Sequence, residues 1–376
     1  MPKVLAFNKE RRHRSAKNEA NSKQETVSLH NKTDDKTQAK VRQLFPKAAA
    51  DITITASIVV PTKGRPHLLN RCIASLVLQH FDPHCFEIII VDDGPSDDTR
   101  DVVNNWIAHV RKNGPRIVYI PSVWQQGPAA ARNLGWYAAQ GDIIAFTDDD
   151  AIARADWLHN GVQAFDEHVH AVWGRIVMPL DGTPTDYELD AKHLESTEFV
   201  TANCFCRKRI LEDIGGFDER FRFAWREDSD LHFTLLCYSA SVVHAPDAVV
   251  THPIRPASWG VSLSQVRKVQ FDALLYKKHP RLYRQKIRAR PRWDFYLIVG
   301  SLLTALIASA TDTDEITLPA ALVWLYMTAR FCATRLRKTS KKPRHVAEMI
   351  MTSVLIPPLA VFWRAVGAFR FRSVLL

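Results

Sequence analysis

Gly141-Asp142-Ile143-Ile144-Ala145-Phe146-Thr147-Asp148-Asp149-Asp150 is the stretch that decides how this chain is read. Ile143 to Phe146 is a continuous apolar run, as a strand buried on both faces requires. The run ends in three consecutive carboxylates. Adjacent acids repel, and a divalent cation such as Mg²⁺ or Mn²⁺, which favours hard oxygen ligands, would offset the repulsion. Taken alone, the cluster reads more readily as a solvated acidic turn. The segments before it change that reading.

Ser57 to Pro61 is a second apolar strand, followed by the turn Thr62-Lys63-Gly64-Arg65-Pro66. Leu69, Cys72, Ile73 and Leu76 then keep the i, i+3, i+4, i+7 spacing of one helix face. Phe86 to Val91 is another strand, closed by Asp92-Asp93-Gly94, and Val103, Trp106, Ile107 and Val110 mark a helix after it. Arg116 to Ile120 is a further strand, and a helix opens near Gly127-Pro128, where a first-turn proline is tolerated. Strands alternating with amphipathic helices predict an α/β fold with a parallel sheet. In such sheets ligands bind beyond the carboxyl ends of the strands, where strand order reverses. Thr62, Asp92, Asp93 and Asp148 to Asp150 all fall at predicted carboxyl ends, so three polar clusters converge on one edge. No GxGxxG follows the first strand and no GxxxxGK[ST] is present, which argues against a dinucleotide fold or a P-loop.

Past Asp150, 155–168 reads as a helix, 171–178 and 199–206 as strands, and 179–198 as irregular. A helix at 207–214 stops at Gly215-Gly216. Trp225-Arg226-Glu227-Asp228-Ser229-Asp230-Leu231 opens another, where the acids would also complement the helix dipole. Short strands at 242–244 and 249–253 close the region.

The net charge of +10 over 376 residues is concentrated in the first fifty residues and around the C-terminal apolar segments. That placement suits an anionic membrane surface rather than nucleic acid. The six cysteines show no CxxC pair and read as reduced core residues of a cytosolic domain. Residues 1–50 are too polar to offset their ordering entropy and are expected to form a disordered basic tail. No signal peptide is expected, since the first apolar run follows about fifty polar residues.

Ser57 to Pro66, Glu87 to Thr99, Gly127 to Gly135, Gly141 to Ala151, Asn203 to Phe221, Trp225 to Leu231 and Thr251 to Pro253 together resemble the family 2 glycosyltransferases, of GT-A fold, over roughly residues 55–255. The resemblance implies a nucleotide-diphosphate sugar donor, most often a UDP-sugar, and inversion at the anomeric carbon. It implies that Pro61, Thr62, Arg65, Asp92, Asp93, Asp148 and Asp149 bind the sugar nucleotide and that Asp150 binds the metal. His252 sits where some members add a metal contact, and a structural histidine is the alternative. Asp228 would be the general base, with Glu227 beside it. Asn203, Gly216 and Phe217 would shape the acceptor side. The chemistry suits these residue types: a cation stabilises the departing diphosphate, and a carboxylate takes the proton of the attacking hydroxyl. Processive synthases of the family carry Gln-x-x-Arg-Trp before their membrane segments. Here Arg292-Trp293 is preceded by Ala289, which implies transfer of one or a few sugars.

The domain expected at 51–260 is followed by a basic helical linker, 261–294. Phe295 to Thr311 and Ile316 to Thr334 are long enough, at the short limit, to span a bilayer; a buried hairpin is the alternative. Their outer flanks are basic, and Asp312, Asp314 and Glu315 fill the loop between them. The positive-inside rule then puts both flanks and the catalytic domain in the cytoplasm, at the inner membrane, where a lipid or lipid-linked glycan acceptor is expected. Residues 346–366 hold Glu348, Pro357-Pro358 and Arg364, and are expected to form an interfacial or re-entrant helix. Two other functions fit parts of the pattern. A nucleotidyltransferase making sugar nucleotides would open with a Gly-rich loop that Gly64-Arg65 matches poorly. A catalytically inactive membrane scaffold would not need Asp148, Asp150 and Asp228.

Overall fold

The structure, a computed structural model, describes residues 53–110, 113–122 and 126–374. The tail expected at 1–50 lies outside the described residues. The chain runs β1 (Ala56–Thr62), α1 (Pro66–Val77), β2 (Phe86–Asp92), α2 (Asp97–Val110), β3 (Arg116–Pro121), α3 (Pro128–Ala138) and β4 (Ile143–Thr147). These four strands are parallel, in the order β3-β2-β1-β4. Every residue of β1, β2 and β4 is buried, which is why they read as unbroken apolar runs.

The second half is mixed rather than parallel. It comprises β5 (Ile152–Ala153), α4 (Trp157–Gln163), β6 (Ala171–Val177), α5 (Asp186–Lys192), β7 (Asn203–Arg207), α6 (Lys208–Ile214), α7 (Glu227–Cys237) and β8 (Val242–Thr251). The eight-stranded sheet continues β4-β7-β6-β8-β5, with β7 antiparallel to both β4 and β6. The two strands expected at 242–244 and 249–253 are one strand, β8, with a register shift opposite Gly174/Arg175. The segment 179–198 is not wholly irregular: Thr185 and Glu188 form a reciprocal capping box that starts α5.

Helices cover both faces. Leu69, Ile73 and Leu76 of α1 pack under one face with Trp157 and Leu158, each fully buried aliphatic side chain contributing about 1.5–3 kcal/mol. Ala131 and Trp136 of α3, with Leu231 and Leu235 of α7, cover the other. Gly135 lets α3 lie close on β1, since a Cβ there would fall 2.3 Å from Val59 Cγ1.

The linker expected at 261–294 is no free connector. Its helices α8 (Val261–Val266) and α9 (Gln270–Lys278) bring Phe271, Leu274 and Leu275 against Phe221 and Phe233 of the catalytic half. Then come α10 (Trp293–Ala310), α11 (Asp314–Leu336) and α12 (Pro343–Phe371). All three are long and apolar enough to cross a membrane by length and composition. The stretch expected as interfacial or re-entrant is one continuous helix, unbroken at Pro357 and Pro358.

Candidate active site

The chain leaves β1 toward β2 and β3 and returns on the other side of β1 to form β4. That reversal opens a crevice beyond the carboxyl ends of β1 and β4. Asp148 and Asp150 enter it directly after β4, and His252 enters directly after β8. Ligand atoms of these three residues all lie within 4.8 Å of one another. His252 Nε2 is 3.2 Å from Asp150 Oδ1 and 3.6 Å from Asp148 Oδ2. Burial alone would lower the His252 pKa, but hydrogen bonds to the two acids outweigh it and raise it to about 10. Burial likewise pushes Asp148 up, and His252 and Arg132 outweigh it, holding that carboxyl well below the usual range. Two carboxylates and an imidazole, clustered and largely enclosed, fit a divalent cation.

Asp149 has a different place. It is fully buried and accepts hydrogen bonds from Thr62 Oγ1 at 2.7 Å and Arg65 Nε at 3.0 Å. It thereby ties the loop after β1 to the loop after β4. Burial pushes its carboxyl up to about 6, against the pull of Arg65 and Thr62. Pro61 is buried within β1. Asp92 accepts from Tyr119 Oη at 3.0 Å. Asp93 accepts from the Gly127 N–H at 3.1 Å, with Lys63 Nζ 3.6 Å away. The loops after β1 and β2 and the entry to α3 are therefore stitched together by carboxylates.

Glu227 and Asp228 open α7 on the far side of the crevice. Burial, then the neighbouring Asp228 charge, push the Glu227 carboxyl up to about 7. Burial also raises Asp228, against the Ser229 N–H that bonds it at 2.6 Å. Two residues that sequence reasoning passed over complete the site. Arg132, almost wholly buried on α3, donates to Asp148 at 2.8 Å and to Glu227 at 3.3 Å. It joins the two acid groups. Arg255 Nε lies 3.0 Å from Asp150 Oδ2. A signal for Arg132 was present: a guanidinium between Ala131 and Leu134 on a helix that must cover a sheet needs buried acids. Arg255 gave none.

The residues expected on the acceptor side, Asn203, Gly216 and Phe217, are placed as follows. Asn203 is fully buried and its amide is engaged by Trp157 Nε1 (2.8 Å), Arg175 O and Ala248 O (2.9 Å each). It pins β7 to the scaffold. Phe217 is buried edge-on against Phe146, with Arg132 above its ring at 5.7 Å. Gly216, at φ 68°, turns the chain against Asn133 and Trp136. Phe217 thus lies under Arg132, and Gly216 lies against α3.

Comparison with known proteins agrees with this geometry. The mannosyltransferase PcManGT from Pyrobaculum calidifontis, solved in complex with GDP-Man and Mn²⁺, superposes with a TM-score of 0.56 at 18% identity, covering 90% of this chain and 96% of that one. The fold is thus GT-A, with C-terminal helices added. The family described as Glycosyl transferase family 2 matches residues 57–226. An uncharacterized glycosyltransferase of Haemophilus influenzae is 36% identical over 183 residues, 48% of this chain and 70% of its own length. The GalNAc(5)-diNAcBac-PP-undecaprenol beta-1,3-glucosyltransferase of Campylobacter jejuni is 33% identical over 150 residues, 40% of this chain and 46% of its own length. Among the curated relatives, the chain spans 60% of one length and 43% of another. The chain belongs to the family 2 glycosyltransferases, and it is a glycosyltransferase.

Proposed function

We propose that this enzyme transfers one or a few sugars from a nucleotide-diphosphate sugar to a hydroxyl of a lipid or lipid-linked glycan, with inversion, at the cytoplasmic face of the inner membrane. The observation that carries the reading is Arg132, buried between two acid groups that flank one crevice. Asp148, Asp150 and His252 would hold Mg²⁺ or Mn²⁺; the mixed oxygen and nitrogen donors favour Mn²⁺. When bound, the cation supplies Lewis-acid stabilisation of the departing diphosphate. Thr62, Arg65 and Asp93 would seat the nucleotide, a UDP-sugar being the expected donor. Arg255 and Arg65, both partly exposed beside Asp150, can turn to the diphosphate oxygens. On the other side Asp228 would take the proton of the attacking hydroxyl. Glu227, tied to Arg132, would keep its neighbour's charge oriented.

The lipid acceptor is supported by the Campylobacter relative, whose name gives a PP-undecaprenol-linked substrate. It is supported too by the exposed apolar surface of α10 and α11, including Leu303, Leu306, Ile307, Leu318 and Leu322. The α10–α11 hairpin, with its acidic tip and basic flanks, would be inserted in the bilayer.

The test is the thermal stability of the detergent-solubilised enzyme with UDP, GDP, CDP or dTDP, each with and without Mn²⁺ or Mg²⁺, for wild type and Asp150→Ala. A ligand at a hundredfold excess over its Kd stabilises by about 2.7 kcal/mol. A metal-dependent shift with one nucleotide, lost in Asp150→Ala, is expected. No shift with any of them in folded protein would sink the assignment of this crevice as the donor site.

A further inference from the structure

We propose that α12 lies flat in the membrane interface, on the same side as the catalytic domain, and presents a lipid-facing surface without crossing the bilayer. The inference rests on the reading that the α10–α11 hairpin is membrane-inserted.

The first observation is where the two ends of α12 are fastened. At its start, the Gly260 N–H donates to Glu348 Oε1 at 2.6 Å and Trp259 Nε1 donates to Arg344 O at 3.3 Å. At its end, Arg370 Nη1 donates to Gln270 Oε1 at 3.1 Å and Lys277 Nζ donates to Phe371 O at 2.9 Å. Between these points Gly367 meets α9 so closely that a Cβ would fall 2.3 Å from Gln270 O. The helix has 29 residues, about 43 Å at 1.5 Å per residue. A helix crossing the roughly 30 Å hydrocarbon core has its ends on opposite sides of it. Here both ends are bonded to residues 259–277. That segment is continuous with the catalytic core through Phe271, Leu274 and Leu275. The catalytic domain cannot stand on both sides at once.

The second observation is the distribution of polarity around α12. The face turned to the protein carries His345, Thr352, Ser353 and Arg364 among Met349, Pro357, Ala360 and Gly367, all buried. Leu355, Phe362 and Phe369, at the i, i+7 spacing of one stripe, point away from it and are 39%, 56% and 89% exposed. A helix lying against water has the opposite arrangement. Arg344 stands at one end of this stripe and Arg370 and Arg372 at the other, as suits an anionic headgroup layer. The third observation is continuity with the hairpin. Phe295 and Ile298 at the base of α10 pack on Ala360. Arg335 near the end of α11 donates to Thr352 Oγ1 at 2.7 Å and Ser353 Oγ at 3.1 Å. The hairpin therefore rises from the middle of α12, and the exposed apolar surfaces of the two meet.

The test uses the full chain in native membranes with the accessible Cys85, Cys237 and Cys332 replaced by Ser, since Cys72, Cys204 and Cys206 are buried. Single cysteines are placed at the hairpin tip (Glu315→Cys) and beyond α12 (Val374→Cys), and a third protein keeps only Cys237 to mark the catalytic face. A membrane-impermeant maleimide is applied to right-side-out and inverted vesicles. Val374→Cys is expected to label from the same face as Cys237, and Glu315→Cys from the opposite face. Labelling of Val374→Cys from the opposite face would overturn the proposal by making α12 a span. Labelling of Glu315→Cys from the Cys237 face, or release of the protein by carbonate, would overturn the hairpin reading and remove the bilayer as the partner of α12. In vesicles, a fluorophore at Phe362→Cys is expected to be quenched by shallow spin-labelled lipid. Strongest quenching by midplane lipid would also refute the in-plane placement.

Discussion

The catalytic half and the C-terminal helices distribute polarity in opposite senses. In the catalytic half the interior is apolar, and acids at strand ends and at the start of α7 are held by partners from other elements: Asp149 by Thr62 and Arg65, Asp148 and Glu227 by Arg132. In α12 serine, threonine, histidine and arginine share the interior face with Met349, Pro357, Ala360 and Gly367, and the outer stripe is wholly apolar. The difference is what one chain folded against two solvents would show: water around the catalytic half and, on the membrane reading proposed above, lipid along α12. The two regimes meet at Asp272 of α9. It accepts from Arg226 at 2.7 Å and Trp225 Nε1 at 3.2 Å on the catalytic side, and lies 3.9 Å from Arg364 of α12 on the other.

The sharpest way to break the catalytic side of this contrast is Asp228→Asn. Loss of a general base should lower kcat by about 10²–10⁴-fold while nucleotide-dependent stabilisation persists; an unchanged turnover would remove Asp228 from that role. Arg132→Met comes next. It leaves Asp148 and Glu227 without their shared cation, and breaking a buried pair costs roughly 3–5 kcal/mol. A denaturant melt showing no loss would mean that water already serves these acids. The seam itself is probed by Asp272→Asn. Arg226 holds a left-handed φ of 76° immediately before Glu227, and its bond to Asp272 fixes that turn. We expect kcat to fall by about 10- to 10²-fold, as misplacement of a reacting group would cause, with KM nearly unchanged. An equal change in both parameters would count against a positioning role.

The smallest effect is a pH dependence. Burial and Asp228 hold the Glu227 pKa at about 7, above the ordinary value. The protonated form is therefore favoured by folding. Its contribution is complete below the ordinary glutamate pKa and is lost as pH rises through about 7. Wild type should lose stability relative to Glu227→Gln between pH 5 and pH 8 in thermal melts. Turnover should fall on the acid side of about pH 7, because the paired carboxylates then share a proton. Parallel melting curves across that range would show that Glu227 is ionised throughout.

The contrast also governs what could be read in the sequence. The parallel strands were legible because burial on both faces demands Val, Ile and Phe in unbroken runs, and the acids of the crevice were legible because they interrupt those runs at their ends. The mixed half was harder. The strand expected at 199–206 is only Asn203–Arg207: Phe199 adopts a positive φ of 54°, and the Asn203 N–H donates to Val200 O to close a turn over 200–203. For Asn203 and Phe217 a motif gives position along the chain, and the structure adds that both side chains are buried. Arg255 reaches Asp150 across more than a hundred residues, with nothing local to announce it. In the C-terminal region hydropathy located all three helices, but it gives the same value to a helix lying in a surface and to one crossing it. The bonds at the two ends of α12 are what carry the in-plane placement proposed above.

The close seating of Gly367 on Gln270 bears on the order of assembly. Residues 259–278 leave the ribosome well before the helix that covers them, and domains fold as units during synthesis, N-terminal parts first. The wall formed by α8 and α9 must therefore wait, incomplete, while α10 and α11 are made. The last helix then closes over it as a latch. On the proposed membrane reading, biogenesis of this enzyme would end at the bilayer, and a chain stopped before residue 343 would leave that wall uncovered.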